Sequence, residues 1–214
     1  MRVIVLANRK GGSGRSTLTA HLAIAAHAAG QGPVAVCDLD PQGSLTAWAN
    51  DREVGDVAVV EMQDTFEATV AYCRKHGIRT LFADTSPQTT RSVASVIACA
   101  DLVLCPVQPS VHDLRAVGTT AEIARKAGRQ LAFVLNRVTP RTRVGMDAAI
   151  ALSEHGMVCP TVIHNRTVFA SSMIAGLTAG ETEPGSKSAG EIDALWAWVA
   201  SRTTTKASHA RTPT

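Results

Sequence analysis

The chain has 214 residues, 45% of them hydrophobic, and its 21 Lys and Arg against 18 Asp and Glu give a net charge of +3. A chain of this length can bury one sizeable hydrophobic core, and no apolar run is long enough to span a membrane. The mild charge permits nucleic-acid binding without requiring it. The five cysteines are an odd number without a Cys-x-x-Cys pair, and the charged segment from Arg9 argues against a signal peptide. We therefore expect reduced thiols and a cytoplasmic protein.

A glycine-rich segment lies between the first predicted strand, residues 3–7, and a predicted helix, residues 18–29. It reads Lys10-Gly11-Gly12-Ser13-Gly14-Arg15-Ser16-Thr17. A strand, a glycine loop and a helix in this order predict a phosphate-binding loop, where backbone N–H groups and the helix N-terminus face the ligand. Ser16 is placed to hold Mg²⁺ and Thr17 to reach an α-phosphate. The alternative is a glycine-rich turn that only ends the strand.

The loop departs from the common pattern G-x-x-x-x-G-K-[ST] at two positions. Arg9 stands where the first glycine is expected, and Arg15 stands where the phosphate-binding lysine is expected. Arginine offers a planar fork of donors that can bind phosphate, but it is bulkier than lysine and does not simply replace it.

Carboxylates follow two further predicted strands. Asp38 and Asp40 come after residues 34–37, and an i, i+2 pair at the carboxyl end of a strand faces the crevice where open α/β sheets bind ligands. An acidic turn that caps the next helix, residues 44–50, is the alternative. Another apolar strand ends at Asp84, the arrangement of a Walker B carboxylate that holds Mg²⁺ through water.

The remaining elements continue the alternation of strands and helices. Further strands are predicted at residues 57–62, 100–106, 130–135 and 158–163, and helices at residues 65–75, 113–127, 144–155, 165–175 and 189–199. Residues 181–187 are predicted to form a loop. The fold class is therefore α/β, with a doubly wound, mostly parallel sheet flanked by helices. We expect one domain over residues 1–200 and a polar, disordered tail over residues 201–214.

The ordered motifs resemble those of the ParA/MinD family of P-loop ATPases with a deviant Walker A loop. They comprise Lys10-Gly11-Gly12-x-Gly14, Asp38-Leu39-Asp40-Pro41-Gln42, the strand ending at Asp84, the loop Cys105-Pro106-Val107-Gln108-Pro109-Ser110, and the pair Asn136-Arg137. The resemblance extends over residues 1–200 and is closest to the short, ParF-like partition proteins. It implies ATP and Mg²⁺ as cofactors, bound by the glycine loop.

The resemblance also implies roles for individual residues. Lys10 would reach across a dimer interface to the partner's nucleotide, and Asp40 would orient the attacking water. Asp38 would support either Mg²⁺ or the loop, while Ser16 and Asp84 hold the metal. Pro109 would lie beside the nucleotide, and the amide of Asn136 would read the base.

By the same resemblance, ATP would lock two subunits into a homodimer that binds DNA without sequence preference, in a nucleoid-associated state. A ParB-like or other cargo-binding partner would stimulate slow hydrolysis. Contacts to DNA phosphates need only basic side chains. The candidates are Arg141, Arg143, Lys187, Arg202 and Lys206, and ordinary solvated charge is the alternative for each.

Three other functional classes share this fold and are alternatives to a partition ATPase. A MinD-like positioning ATPase that cycles on membranes is the main alternative, but it needs a basic amphipathic C-terminal helix, and the polar tail does not supply one. We therefore expect no stable membrane association. A nitrogenase-iron-protein-like reductase needs two cluster cysteines in suitable loops, whereas Cys99 and Cys105 lie in or beside one strand. A tyrosine-kinase variant needs a tyrosine cluster, and this chain has only Tyr72.

Overall fold

A single parallel sheet forms the centre of the protein. The computed structural model describes residues 1–87 and 90–203, and seven strands are found within them, in the order β3-β2-β4-β1-β5-β6-β7. The strands are β1 (Arg2–Leu6), β2 (Val34–Leu39), β3 (Val57–Val59), β4 (Thr80–Thr85), β5 (Leu102–Val107), β6 (Leu131–Leu135) and β7 (Met157–Val158). Every neighbouring pair is parallel, so the predicted fold class is confirmed.

Helices cover both faces of the sheet. One face carries α1 (Arg15–Ala28), α2 (Ser44–Asn50), α7 (Val168–Ile174), α8 (Ala179–Thr182) and α9 (Lys187–Arg202). The other carries α3 (Phe66–Lys75), α4 (Thr90–Ala98), α5 (Val111–Lys126) and α6 (Val144–Ser153). None of these helices, within the residues described, is long and apolar enough to cross a membrane.

The core is built by the alternation of side chains along each strand. In β1, Ile4 and Leu6 pack under α1 and α9, whereas Val3 and Val5 pack against the helices of the opposite face. All four are fully buried. A strand buried on both faces reads as a continuous apolar run, which explains why the central strands were predicted correctly.

The chain order places a crevice between β1 and β5. The connection after β1 leads through α1 to β2 on one side, and the connection after β5 leads through α5 to β6 on the other side. Open α/β sheets bind their ligands at the carboxyl ends of strands where the winding direction changes in this way. The glycine loop follows β1 at this point.

The last predicted strand is shorter than expected. Regular pairing ends at Val158 rather than continuing to residue 163, because Pro160 has no N–H to donate to the sheet. Single backbone hydrogen bonds still tie Cys159 N to Phe133 O and Ile163 N to Leu135 O. The segment therefore follows the sheet without forming a regular strand.

Three helical features were not predicted. Helix α4 lies between the fourth and fifth strands, where no helix is predicted, and α8 begins before the predicted loop at residues 181–187 and includes its first two residues. Helix α9 begins at Lys187 and ends at Arg202, so it is longer than predicted at both ends. The tail from residue 204 onward, including Lys206, lies outside the described residues.

Candidate functional site

The glycine loop forms the turn between β1 and α1. Gly12 and Gly14 have φ angles of 74° and 93°, which side chains rarely adopt. A Cβ atom on Gly14 would also lie 2.3 Å from Nδ2 of Asn136, so only glycine fits there. Helix α1 begins at the next residue, and its free N–H groups face the loop. This is the geometry expected for phosphate binding.

A cavity of about 300 Å³ adjoins the loop at the start of α1. Its lining includes Gly14, Thr17, Asn136, Arg137, Asn165 and Phe169. The Asn136 amide is 4% exposed, donates to the carbonyl oxygen of Ser13 (2.8 Å) and accepts from the backbone N–H of Arg137 (2.9 Å). Asn136 therefore holds the loop, and base reading by this residue stays a prediction.

Ser16 and Asp84 form the candidate metal site. The Ser16 hydroxyl donates to Oδ2 of Asp84 at 2.5 Å, and Oδ1 of Asp84 is buried with no hydrogen-bond partner among the described residues. Burial raises the pKa of Asp84 to about 7, although the bond from Ser16 and the charge of Arg15 oppose this shift. A hydroxyl and a carboxylate with a free oxygen are ligands that Mg²⁺ accepts, so these two residues fit the ion.

Asp38 and Asp40 differ in what they contact. Both oxygens of Asp38 are occupied, because Oδ1 accepts from Asp40 N (3.0 Å) and Oδ2 accepts from Leu45 N and Thr46 N (3.0 Å each). Of the two roles suggested for Asp38, this geometry favours support of the loop over metal binding. The Asp40 side chain is 16% exposed, with Oδ2 3.5 Å from Nη2 of Arg15.

Arg15 points into the protein. Its side chain is 6% exposed, and it donates to three backbone carbonyl oxygens, those of Asn8 (2.7 Å), Lys10 (2.9 Å) and Thr85 (2.9 Å). Nε also lies 3.6 Å from Oδ1 of Asp84. The guanidinium lies beneath the loop, and contact of this side chain with a phosphate stays a prediction.

Lys10 forms an ion pair with Asp113, across the crevice between β1 and β5. Asp113 is fully buried in the first turn of α5 and also accepts from the Ser110 hydroxyl. Sequence reasoning missed Asp113 as a site residue, and it also missed Gln108, whose amide donates to the carbonyl oxygen of Gly12 (2.7 Å). Pro109 lies between Gln108 and Ser110 in the chain, and its place beside the nucleotide stays a prediction.

The DNA-binding candidates are not brought together. Arg141 and Arg143 lie between β6 and α6, at the carboxyl ends of the strands. Arg202 lies at the opposite edge of the sheet, in a concavity of about 500 Å³ that Arg74 and Arg129 also line. Lys187 is an exposed residue at the start of α9. The concavity contains two arginines that sequence reasoning did not select.

Comparison with known proteins identifies the family. Residues 4–178 match the model described as the CobQ/CobB/MinD/ParA nucleotide binding domain, which is most of the chain. The chain belongs to this family. Protein ParA of Rhizobium radiobacter is 29% identical over 184 residues, which cover 80% of this chain and 82% of that protein. The maintenance of carboxysome distribution protein A of Gloeobacter kilaueensis is 31% identical over 160 residues, covering 73% of each chain.

Solved structures show the same fold. An ATP complex of a Cyanothece McdA variant superimposes with a TM-score of 0.74 at 15% identity, covering 94% of this chain and 96% of that chain. The relatives place the chain among ParA-type partition and positioning ATPases, as its motifs predicted. For a ParA-type ATPase, the glycine loop, the adjoining cavity and the carboxylates at the strand ends together form the candidate nucleotide site.

Proposed function

We propose that this protein is a nucleotide-switched ATPase that positions DNA or a protein cargo. ATP binding would join two subunits face to face, the dimer would bind DNA without sequence preference, and a ParB-like or other partner would stimulate hydrolysis. The glycine loop would bind the phosphates through backbone N–H groups. The cavity beside Thr17 would receive the nucleoside.

The position of Lys10 is the observation that carries this proposal. Its backbone belongs to the loop, but its side chain extends sideways to Asp113 and is 37% exposed. Such an ammonium group is poorly placed to serve phosphates bound by its own loop, and it is near enough to the surface to contact a second subunit. A role in trans explains why a lysine stands at this early position.

The chemistry of hydrolysis would be divided among the carboxylates. Asp40 is partly exposed beside the loop and can accept a hydrogen bond from an attacking water, which orients that water. Ser16 and the free oxygen of Asp84 would hold Mg²⁺, which neutralises charge on the β- and γ-phosphates when bound. Asp38 would keep Asp40 in place through the bond to its backbone N–H.

DNA binding would use exposed arginines on one of two surfaces. The first is the β6–α6 connection with Arg141 and Arg143, and the second is the concavity lined by Arg74, Arg129 and Arg202. Either surface can neutralise phosphates without reading bases. Lys187 and Lys206 remain further candidates.

A gel-shift experiment on two unrelated duplexes tests the proposal. With Mg²⁺ and ATP, the protein should bind both duplexes equally, and binding should weaken steeply as salt rises because counterions are released. Without nucleotide, binding should be much weaker.

Two sets of substitutions identify the DNA-binding surface. One set replaces Arg141 and Arg143 by Gln, and the other replaces Arg74, Arg129 and Arg202 by Gln. Only one of the two sets should abolish the shift. Sequence-selective binding by the nucleotide-free protein would contradict the proposal, and no DNA binding would favour a MinD-like mode.

A further inference from the structure

Arg15 is held in place by the backbone rather than by a ligand. Three of its N–H groups donate to the carbonyl oxygens of Asn8, Lys10 and Thr85, at 2.7 to 2.9 Å. Asn8 lies two residues after β1, Lys10 belongs to the loop, and Thr85 is the last residue of β4. Moving the guanidinium upward to a phosphate would leave three buried acceptors without donors, which proteins rarely tolerate. The side chain is therefore expected to stay beneath the loop when a nucleotide binds.

The same guanidinium lies between the two carboxylates of the site. Nη2 is 3.5 Å from Oδ2 of Asp40, and Nε is 3.6 Å from Oδ1 of Asp84. All three side chains are largely buried, so little water screens these charges from one another. Without the arginine, two carboxylates would face the phosphates of a bound ADP or ATP with no positive side chain between them, and a bound cation would be needed to offset the repulsion.

We propose that Arg15 is a built-in counter-ion which offsets the charge of Asp40 and Asp84, so that nucleotide binding does not need a divalent cation to overcome repulsion from these carboxylates. The nucleotide, whose binding here is itself part of the proposed function, would then bind with nearly the same affinity whether or not a divalent cation is present. Mg²⁺ would be required for turnover only. Because of Arg15, nucleotide would bind without a divalent cation, whereas hydrolysis would still need one.

A lysine would not serve equally well. An ammonium group is a compact point charge, whereas the planar guanidinium reaches three carbonyls and both carboxylates from one position. This difference gives a physical reason for arginine at a position where the common loop pattern has lysine.

Titration with a fluorescent ADP analogue, in excess Mg²⁺ or in excess EDTA, tests the proposal. For the parent protein the ratio of the two Kd values should stay below about threefold, and Arg15→Gln should raise it to about tenfold or more. Arg79→Lys, an exposed arginine before β4, is the control and should keep the parent ratio. A parent ratio above about threefold, or an unchanged ratio in Arg15→Gln, would overturn the proposal.

A second measurement on the parent protein tests the role of Arg15 without the Arg15→Gln variant. If Arg15→Gln does not fold, the parent ratio still decides, together with the electron paramagnetic resonance signal of Mn²⁺ added to nucleotide-free parent protein. That signal should remain that of the free ion, because Arg15 already lies between the two carboxylates and offsets part of their charge. Binding of Mn²⁺ that is lost in Asp84→Asn would overturn the proposal. Absence of nucleotide binding in both buffers would instead contradict the proposed function.

Discussion

The Lys10 ammonium and the Asp113 carboxylate form an ion pair that joins the loop after β1 to the first turn of α5. The two residues are 103 positions apart in the chain. Asp113 is fully buried, and its Oδ1 has no hydrogen-bond partner within the described ranges. If Lys10 acts in trans as proposed, each subunit would have to give up this pair on dimerisation, and the pair would then be specific to the monomer.

Removing Lys10 alone should destabilise the protein. Lys10→Ala leaves a buried carboxylate whose charge has lost its partner, and we expect a loss of about 2 kcal/mol in the free energy of unfolding. Adding Asp113→Asn should recover most of that loss, because the buried charge is gone. Urea unfolding of the single and double variants measures both values. Equal stability of parent and Lys10→Ala would show that the pair contributes nothing.

Asp40→Ala should trap the nucleotide-bound state. The change removes the group proposed to orient water in the transition state and leaves the backbone N–H groups, Ser16 and Asp84 intact, so binding should persist while turnover falls by about a hundredfold. Phosphate release and analogue titration on the same preparation separate the two effects. Gln42→Ala, an exposed residue of the same turn, is the control. Turnover at the parent rate in Asp40→Ala would remove Asp40 from its assigned role.

Much of the site could be predicted because its residues lie at strand ends. Asp40, Asp84 and Asn136 each follow an apolar run, and parallel strands bring such positions to one edge. Two helices absent from the prediction also have local sequence signals. Val93, Val96 and Ile97 have helical spacing in α4, and the Thr178 and Glu181 pair forms a capping box that starts α8.

Other features depend on tertiary contacts that no local pattern contains. The direction of the Arg15 side chain is set by carbonyl oxygens of Thr85 in β4 and of Asn8 and Lys10 in the segment that follows β1. The partner of Lys10 lies on a distant helix. The sequence left two roles open for Asp38, support of Mg²⁺ or of the loop, and the backbone N–H groups of α2 that it accepts from favour the second.

Arg52 links the segment after α2 to the start of α8 through ion pairs and a hydrogen bond. It pairs with Asp56 at 2.7 Å and with Glu181 at 2.8 Å, and it donates to the carbonyl oxygen of Gly176 at 2.7 Å. Its side chain is 3% exposed, so Arg52→Ala should cost about 3 kcal/mol in the free energy of unfolding. Denaturant unfolding measures this loss. A loss below about 1 kcal/mol would mean that the contacts behave as a surface pair.

The Arg52 cluster should also make stability depend on pH. Burial alone would raise the pKa of Glu181, but hydrogen bonds from Arg52 and Thr178 outweigh it and hold the pKa below its usual range. A lowered folded-state pKa stabilises the protein above the unfolded-state pKa, and this stabilisation disappears as the pH falls through the folded-state value. Glu181→Gln should therefore be less stable than the parent at neutral pH, with the difference shrinking towards about pH 3. Glu122→Gln, at an exposed pair with Lys126, should change stability little at either pH.

Arg15→Lys should raise the rate of hydrolysis. A lysine places a compact charge that can follow the γ-phosphate in the transition state, whereas Arg15 is tied to backbone carbonyls beneath the loop. Recovery of about 1.4 kcal/mol of transition-state stabilisation corresponds to about a tenfold increase. A single-turnover assay with Mg²⁺ and ATP measures it. An unchanged or lower rate would show that the loop is adapted to arginine for catalysis as well as for binding.

Light scattering with Mg²⁺ and a slowly hydrolysed ATP analogue tests the central claim, dimerisation through Lys10, most directly. The parent protein should double its mass when the analogue is added. The double variant Lys10→Ala, Asp113→Asn should remain monomeric, because its stability is restored while the contact in trans is lost. Lys126→Ala, which removes an exposed ion pair on α5, should dimerise like the parent. A parent protein that stays monomeric with the analogue bound, or a double variant that dimerises fully, would contradict the account.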